Sequence, residues 1–317
     1  MNGLTFISQV TLDKKKVYYA VMEQTRVSII IPTYNEGAYL LDTIKCLLKN
    51  TVFLDYEVIV VDDGSTDGSC DLIDTDYKND SRISVVRTTG LGVAGARNYG
   101  AHYAKGDILI FLDAHSYTPP GWMKELISPF IDPHAGMAGP AFSSLNGDTS
   151  ARGLGATFRD VSLQMVWLPQ KGVDFYSVPL LPGGCQAFRK IVFENIGGYD
   201  TGMTRWGSED LEISLRSWLM GYRVVVQPSV VIYHLFRNNF PYHVEAQGIY
   251  YNRLRMALLH FNGERITRVF DHYKKTSGFG KLILSLFESD TRERREQLLR
   301  QRCRDDDWFF SEFSCSV

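Results

Sequence analysis

VSIIIPTYNEG (27–37), followed by YEVIVVDDGSTDG (56–68), sets the architecture of this 317-residue sequence. Each stretch opens on a short apolar, β-branched run and ends in polar turn residues, the pattern of a strand buried on both faces. Pro32 is expected to stop the first strand at Ile31. Between the two, Leu40, Leu41, Ile44, Leu47 and Leu48 recur at helical spacing over Glu36–Lys49. The alternation then repeats: ISVVRTT (83–89) reads as a strand, GVAGARNYGAHYAKG (92–106) as a helix and DILIFLD (107–113) as a fourth strand. Strands alternating with helices at this spacing imply an α/β fold, a mostly parallel central sheet flanked by crossover helices.

Outward from this core the pattern is less regular. Residues 1–25 read as an N-terminal extension with a strand pair around Val17–Met22. Residues 26–260 read as the main domain, with a nucleotide-binding half (26–115) and an acceptor half (116–260). In the second half, strands are expected at Met137–Phe142, Gln186–Phe188, Val224–Val226 and Val230–Tyr233, and a helix at Glu209–Met220. Residues 261–317 read as a helical extension and tail, whose charged run SDTRERREQLLRQRCR (289–304) is most simply a solvated helix.

The formal net charge of −2 offers no electrostatic case for nucleic acid. No apolar run approaches the roughly 20 residues that span a bilayer. The opening MNGLTFISQVTLDKKK lacks the order of a signal peptide. Five cysteines without metal-type spacing point to free thiols and a cytoplasmic setting. The basic residues of 292–304 leave room for peripheral membrane contact.

Parallel sheets bind ligands beyond the carboxyl ends of their strands. Here those ends carry Thr33 to Glu36, Asp62-Asp63, Arg97 in the turn-helix after the third strand, and Asp113-Ala114-His115. Asp113 and His115, at i and i+2 around a bend, can face one divalent cation. A carboxylate and imidazole set suits Mn²⁺ better than Mg²⁺. Such a cation would hold the two phosphates of a nucleotide sugar. Further on, Gly183-Gly184 and WGSED (206–210) place a tryptophan and two acids at the start of a helix. VIYHLFR (231–237) sets His234 and Arg237 beside a strand.

VSIIIPTYNEG, VVDDGSTD, GGYD and SEDLE together resemble family 2 glycosyltransferases of the GT-A fold. FLDAH (111–115), GG (183–184), GYDTGM (198–203), WGSEDLE (206–212) and HLFRNNFPY (234–242) resemble, more closely, the catalytic domain of polypeptide N-acetylgalactosaminyltransferases. The likeness covers about residues 26 to 245, and the chain beyond is expected to be too short for that family's lectin domain. It implies a metal-dependent transferase using a UDP-sugar donor, with Asp113, His115 and His234 as ligands of Mn²⁺ or Mg²⁺. It implies that Thr33, Asp63 and Arg97 hold uracil and ribose, with Glu36 on the same rim. Gly184, Trp206 and Glu209 would line the sugar pocket, and Arg237 and Tyr242 would close over the diphosphate. The acceptor would be a Ser, Thr or Cys side chain of a peptide, with a cell-surface polysaccharide or glycolipid as the alternative. One departure matters. The polypeptide transferases read Glu-Asn where this chain has Glu209-Asp210, the pair of inverting family 2 enzymes, whose Asp is the general base; the donor-site likeness points to the retaining group and Asp210 to the inverting one.

Two other classes fit part of this sequence. Gly90-Leu91-Gly92-Val93-Ala94-Gly95 matches a dinucleotide fingerprint, with Asp113 lying 18 residues after Gly95. A Rossmann oxidoreductase would carry it at the first strand–helix turn, whereas here it follows the third strand. A non-catalytic sugar-binding protein would have lost metal or base residues, and none is missing.

Overall fold

The computed structural model describes residues 25–52, 55–237, 244–315 and 317. The expected strand pair at Val17–Met22 and Tyr242 lie outside the described residues. Strand β1 (Val27–Thr33) leads through helix α1 (Ala38–Asn50) to β2 (Tyr56–Asp62), then α2 (Ser69–Asp76), β3 (Ile83–Arg87), α3 (Gly92–Tyr103) and β4 (Ile108–Leu112). These four strands are parallel, in the order β3-β2-β1-β4. Pro32 does not stop β1. Asp63 N–H donates to the Thr33 carbonyl at 3.0 Å, so Thr33 faces β2 and Pro32, one residue earlier, faces the other edge. Pairing with β4 ends at Ile30, so no partner waits there for the N–H that proline lacks.

The chain continues through β5 (Ser116–Tyr117), α4 (Trp122–Ile127), β6 (Ala135–Ser144), the hairpin β7 (Ala156–Phe158) and β8 (Met165–Trp167), and β9 (Tyr176–Ser177). It goes on through β10 (Cys185–Arg189), α5 (Lys190–Asn195), α6 (Glu209–Leu219) and β11 (Arg223–His234). The two strands expected around Val224 and Val230 are one, interrupted by a register shift between Gln227 and Val231 at Pro228. β10 runs antiparallel between β4 and β6, and β11 lies parallel to β6, which completes a nine-stranded sheet among the described residues.

Period-two alternation divides the core between the two faces of this sheet. Ile29, Ile31, Val58, Val60, Ile110 and Leu112 pack with Leu40, Ile44 and Leu47 of α1. Ile30, Ile59, Val61, Leu109 and Phe111 pack toward α3, α6 and the helices that follow. Fully burying each such side chain is worth about 1.5–3 kcal/mol, so a one-residue slip of any strand is prohibitive.

Five helices close the described chain: α7 (Ala246–His260), α8 (Gly263–Tyr273), α9 (Phe279–Glu288), α10 (Thr291–Gln301) and α11 (Asp306–Glu312). None of the described helices is long and apolar enough to cross a membrane. The charged run forms α10 as expected, but its arginines are not simply solvated. Arg295 donates to the carbonyls of Leu258 and Phe261, and Arg302 to that of His260 at 2.9 Å. Arg304 donates to the Trp218 carbonyl at 3.3 Å and lies over the Trp308 ring. The ends of α6 and α7 leave carbonyls without helical partners, and this basic segment satisfies them. The final stretch is likewise ordered: Asp305 caps α11 by accepting from Trp308 N–H, and Phe309 and Phe310 are buried.

Candidate active site

A cavity of about 1410 Å³ opens along the carboxyl ends of β1, β2 and β4 and extends to α7 and α9. Thr33, Glu36, Asp63, Arg97, Asp113, His115, Gly184, Trp206, Glu209, Asp210, His234 and Arg237 all line it. Seven separate chain segments converge, four of them those of the strand-end reading.

The metal candidates come together. One ligand atom each from Asp113, His115 and His234 lies within 4.8 Å of the others. Asp113 follows β4, His115 sits two residues on at the edge of β5, and His234 ends β11. The β5–β11 pairing of Ser116 with His234 places the two imidazoles against each other, ring centroids 4.7 Å apart. Gly184 lies behind them: its carbonyl accepts from Asp113 N–H at 3.0 Å. A Cβ at this position would stand 2.8 Å from Phe142 and 2.9 Å from the His234 ring, so only glycine lets the strands approach. One buried His234 ring nitrogen, Nδ1, has no hydrogen-bond partner. Burial, which would raise the Asp113 carboxyl, is outweighed by the His234 hydrogen bond and the Arg97 charge, so it titrates well below the usual carboxylate range. An ionised carboxylate and two imidazoles, one with an unspent nitrogen, fit a borderline divalent ion.

Glu36 supports this cluster from outside. It accepts from His115 Nδ1 at 3.2 Å and pairs with the guanidinium of Arg237, through Nη1 at 3.1 Å and through Nη2. A carboxylate behind a metal-facing imidazole fixes its tautomer and orientation. Burial opposes ionisation of Glu36, but His115 and Arg237 overcome it and lower its titration.

Arg97 is buried at the centre of the site. It donates to Glu209 at 2.9 Å, to Asp113 at 3.1 Å and to the Gly183 carbonyl at 2.9 Å, and its guanidinium lies 5.1 Å from the Tyr199 ring centre. Its geometry ties the metal cluster to the acids of α6 rather than reaching for a base or ribose. Asp63 is also engaged: its oxygens accept from Leu91 N–H and Gly92 N–H, both at 2.8 Å. Burial raises its titration despite these donors. The dinucleotide fingerprint thus spends its amides on Asp63. Gly92, at φ +73°, would push a Cβ to 3.0 Å from the Arg205 backbone, so the glycines seat the 204–207 loop. Thr33 keeps a buried hydroxyl without a partner at the cavity wall.

Glu209 and Asp210 start α6. Glu209 accepts from Gly207 N–H at 3.0 Å as well as from Arg97. Asp210 accepts from Gly183 N–H at 2.7 Å and from Leu211 N–H at 2.9 Å. Burial first, and then the adjacent Glu209 charge, push its carboxyl up to about 7. A carboxylate poised there can exchange a proton near neutrality.

Several contributors were not legible in the sequence. Asn252 of α7 donates to the carbonyls of Thr204 and Gly207 and accepts from Thr204 N–H, holding the loop that carries Trp206. Asn98 brackets Tyr199 through its N–H and carbonyl. Phe142, Trp167 and Phe236 form an aromatic wall beside His234. Asn252 and Trp167 come from segments without a motif, while Phe236 lies within the HLFR segment and was not singled out there.

Residues 28–197 match the family model of glycosyl transferase family 2, and residues 175–239 match that of the N-terminal domain of galactosyltransferase. Polypeptide N-acetylgalactosaminyltransferase 8 of Drosophila melanogaster is 30% identical over 316 residues, covering 93% of this chain and 52% of its own. Polypeptide N-acetylgalactosaminyltransferase 11 of Xenopus tropicalis is 32% identical over 250 residues, covering 73% and 42%. The chain spans about half the length of the curated relatives it matches. The structure of GalNAc-T7 with UDP, GalNAc and Mn²⁺ superposes with a TM-score of 0.75 at 22% identity, over 92% of this chain and 56% of that one, which shows a shared GT-A fold. The Rossmann oxidoreductase reading is thereby set aside: this chain belongs to glycosyl transferase family 2.

Proposed function

We propose that the chain transfers an N-acetylhexosamine, N-acetylgalactosamine foremost, from its UDP-activated form to a side-chain hydroxyl of a peptide. The observation that carries this reading is the Asp113, His115, His234 cluster, joined through Arg97 to Glu209 and Asp210 across one cavity. The names of the relatives and the UDP, GalNAc and Mn²⁺ of the GalNAc-T7 complex support the choice of donor, acceptor and ion. Asp113, His115 and His234 would hold Mn²⁺, which supplies charge neutralisation at the departing diphosphate.

In the reaction the bond from sugar C1 to the phosphate oxygen breaks, UDP leaves, and the acceptor oxygen bonds to C1 as its proton passes to a base. Asp210 is the base this site offers, since its carboxyl titrates near neutrality. The unpartnered Thr33 hydroxyl can donate to or accept from uracil or ribose. Asp63 positions the Leu91–Gly92 turn around the same end of the cavity and keeps lone pairs for the base. Gly184, Trp206 and Glu209 border the sugar, and Arg237, braced by Glu36, faces the phosphates. A cytoplasmic setting belongs to the same proposal and rests on the five cysteines standing as free thiols.

The test is release of UDP from UDP-GalNAc, UDP-GlcNAc, UDP-galactose and UDP-glucose with Mn²⁺ or with excess chelator. Mass spectrometry of Ser- and Thr-containing peptides follows. Mn²⁺-dependent turnover of an N-acetylhexosamine donor, with a matching mass gain on peptide, is the expected result. Full activity in chelator, or transfer to glycan but to no peptide, would overturn it.

A further inference from the structure

One arm of the cavity runs along α7 and α9, past Ile249, Tyr251, Arg253, Leu282 and Ser285. Ile249 locates this arm relative to the sugar site: a Cβ on Gly207 would lie 3.4 Å from its side chain. Arg253 is four residues further along α7, on the same face and one turn away. Most of the arm is apolar, with Tyr251 and Leu282 nearly buried. Ser285 is polar, and the charged member is Arg253. Its Nη1 donates to the Tyr273 hydroxyl at 3.2 Å, and that hydroxyl donates in turn to the Ser162 carbonyl at 2.5 Å. Its Nε is buried with no partner.

Two other cavity arginines are matched to carboxylates, Arg97 to Asp113 and Glu209, and Arg237 to Glu36. A third, Arg205, is exposed on the Trp206 loop. Among the described residues, no carboxylate stands within ion-pair distance of Arg253. A half-buried guanidinium held in place by a tyrosine, in a mostly apolar channel, is costly unless an anion completes it.

We infer that this arm is an acceptor subsite in which Arg253 pairs with the carboxylate of an acidic residue near the modified Ser or Thr. The inference rests on the peptide-transfer reading above and extends it to a sequence preference. An extended peptide advances about 3.4 Å per residue. One helical turn beyond the loop that borders the sugar, about 5.4 Å, therefore corresponds to an acidic side chain roughly two residues from the acceptor hydroxyl.

The experiment uses a neutral peptide with one Thr, in which a single Asp, or Asn as its match, is walked from five residues before to five residues after. Hydrolysis of UDP-GalNAc in the absence of peptide is measured alongside. The expected result is a kcat/KM for Asp over Asn that is roughly ten- to a hundredfold higher at one offset about two residues from the Thr, and near unity elsewhere. Arg253→Gln should erase that ratio, and Arg253→Glu should transfer the preference to a Lys at the same offset, a gain that a merely misfolded variant cannot show. Equal rates for Asp and Asn at every offset, with transfer to peptide intact, would overturn the inference alone. So would an Asp preference that survives in Arg253→Gln. Donor hydrolysis without transfer to any peptide would overturn both this inference and the reading beneath it.

Discussion

Removing the carboxylate of Asp210 tests the chemistry most directly. Its carboxyl titrates at about 7 because burial and the neighbouring Glu209 charge outweigh Arg97 and the N–H groups of Gly183 and Leu211. If it takes the acceptor proton, kcat/KM should climb about tenfold per pH unit below 7 and level off above it. Asp210→Asn should abolish that limb and lower the plateau by roughly a hundred- to ten-thousandfold. The substitution is not neutral in structure. Both Asp210 oxygens accept backbone N–H groups, and an amide would turn its own NH₂ toward one of them. Leaving that donor unmatched costs about 1–3 kcal/mol and loosens the turn at Gly183-Gly184, against which Asp113 and His234 are set. The plateau alone is therefore ambiguous, and the limb decides. Initial rates from pH 5.5 to 8.5, with UDP affinity in Mn²⁺ by calorimetry, make the measurement. Glu209→Gln removes a charge that raises Asp210, so the wild-type midpoint should move to lower pH. A limb of unchanged midpoint in Asp210→Asn would refute the base assignment, as would an α-linked product from the α-linked donor by NMR. The stability linkage has the opposite direction. A carboxyl raised from 3.8 to about 7 contributes stability in full below about pH 4 and loses it as pH rises through 7.

Glu36→Gln keeps the shape behind His115 but removes the charge that orients it and braces Arg237; Mn²⁺ affinity, read by calorimetry in the presence of UDP, should weaken about ten- to a hundredfold. Asp63→Ala frees the N–H groups of Leu91 and Gly92, so UDP binding should fall by roughly ten- to a hundredfold together with a lower melting temperature. Reduced affinity with no change in melting would assign Asp63 to the nucleotide alone. Arg255 is buried and clasps Asp200 at 2.7 and 2.9 Å while reaching Thr291 at 2.8 Å, tying α10 to the GYD turn. Arg255→Met strands the Asp200 charge and should cost about 3–5 kcal/mol by denaturant unfolding; a change below 1 kcal/mol would mean that water reaches the pair.

The parallel half of the sheet and its rim were legible because their cause is local. An apolar β-branched run must be buried on both faces, a right-handed crossover must return the chain in parallel, and polar residues after such runs must emerge at one edge. That logic brings Thr33, Asp63, Asp113 and His115 to a common rim, and the resemblance to the transferase motifs adds His234, Glu209 and Asp210. What each carboxylate and guanidinium touches was not legible. Arg97 stands 16 residues from Asp113 and 112 from Glu209, and its pairing with both depends on how α3 packs under α6. Asp63 spends its oxygens on the glycine turn because β2 and the start of α3 end side by side. Asn252 and Arg253 carry no motif, and α7 reaches the site only because buried ion pairs and a basic segment dock the C-terminal helices onto the sheet. Strand burial follows from residue type and period, which the chain states along its length. Partner choice among buried charges follows from distances between segments far apart in sequence, and only the packed structure sets those.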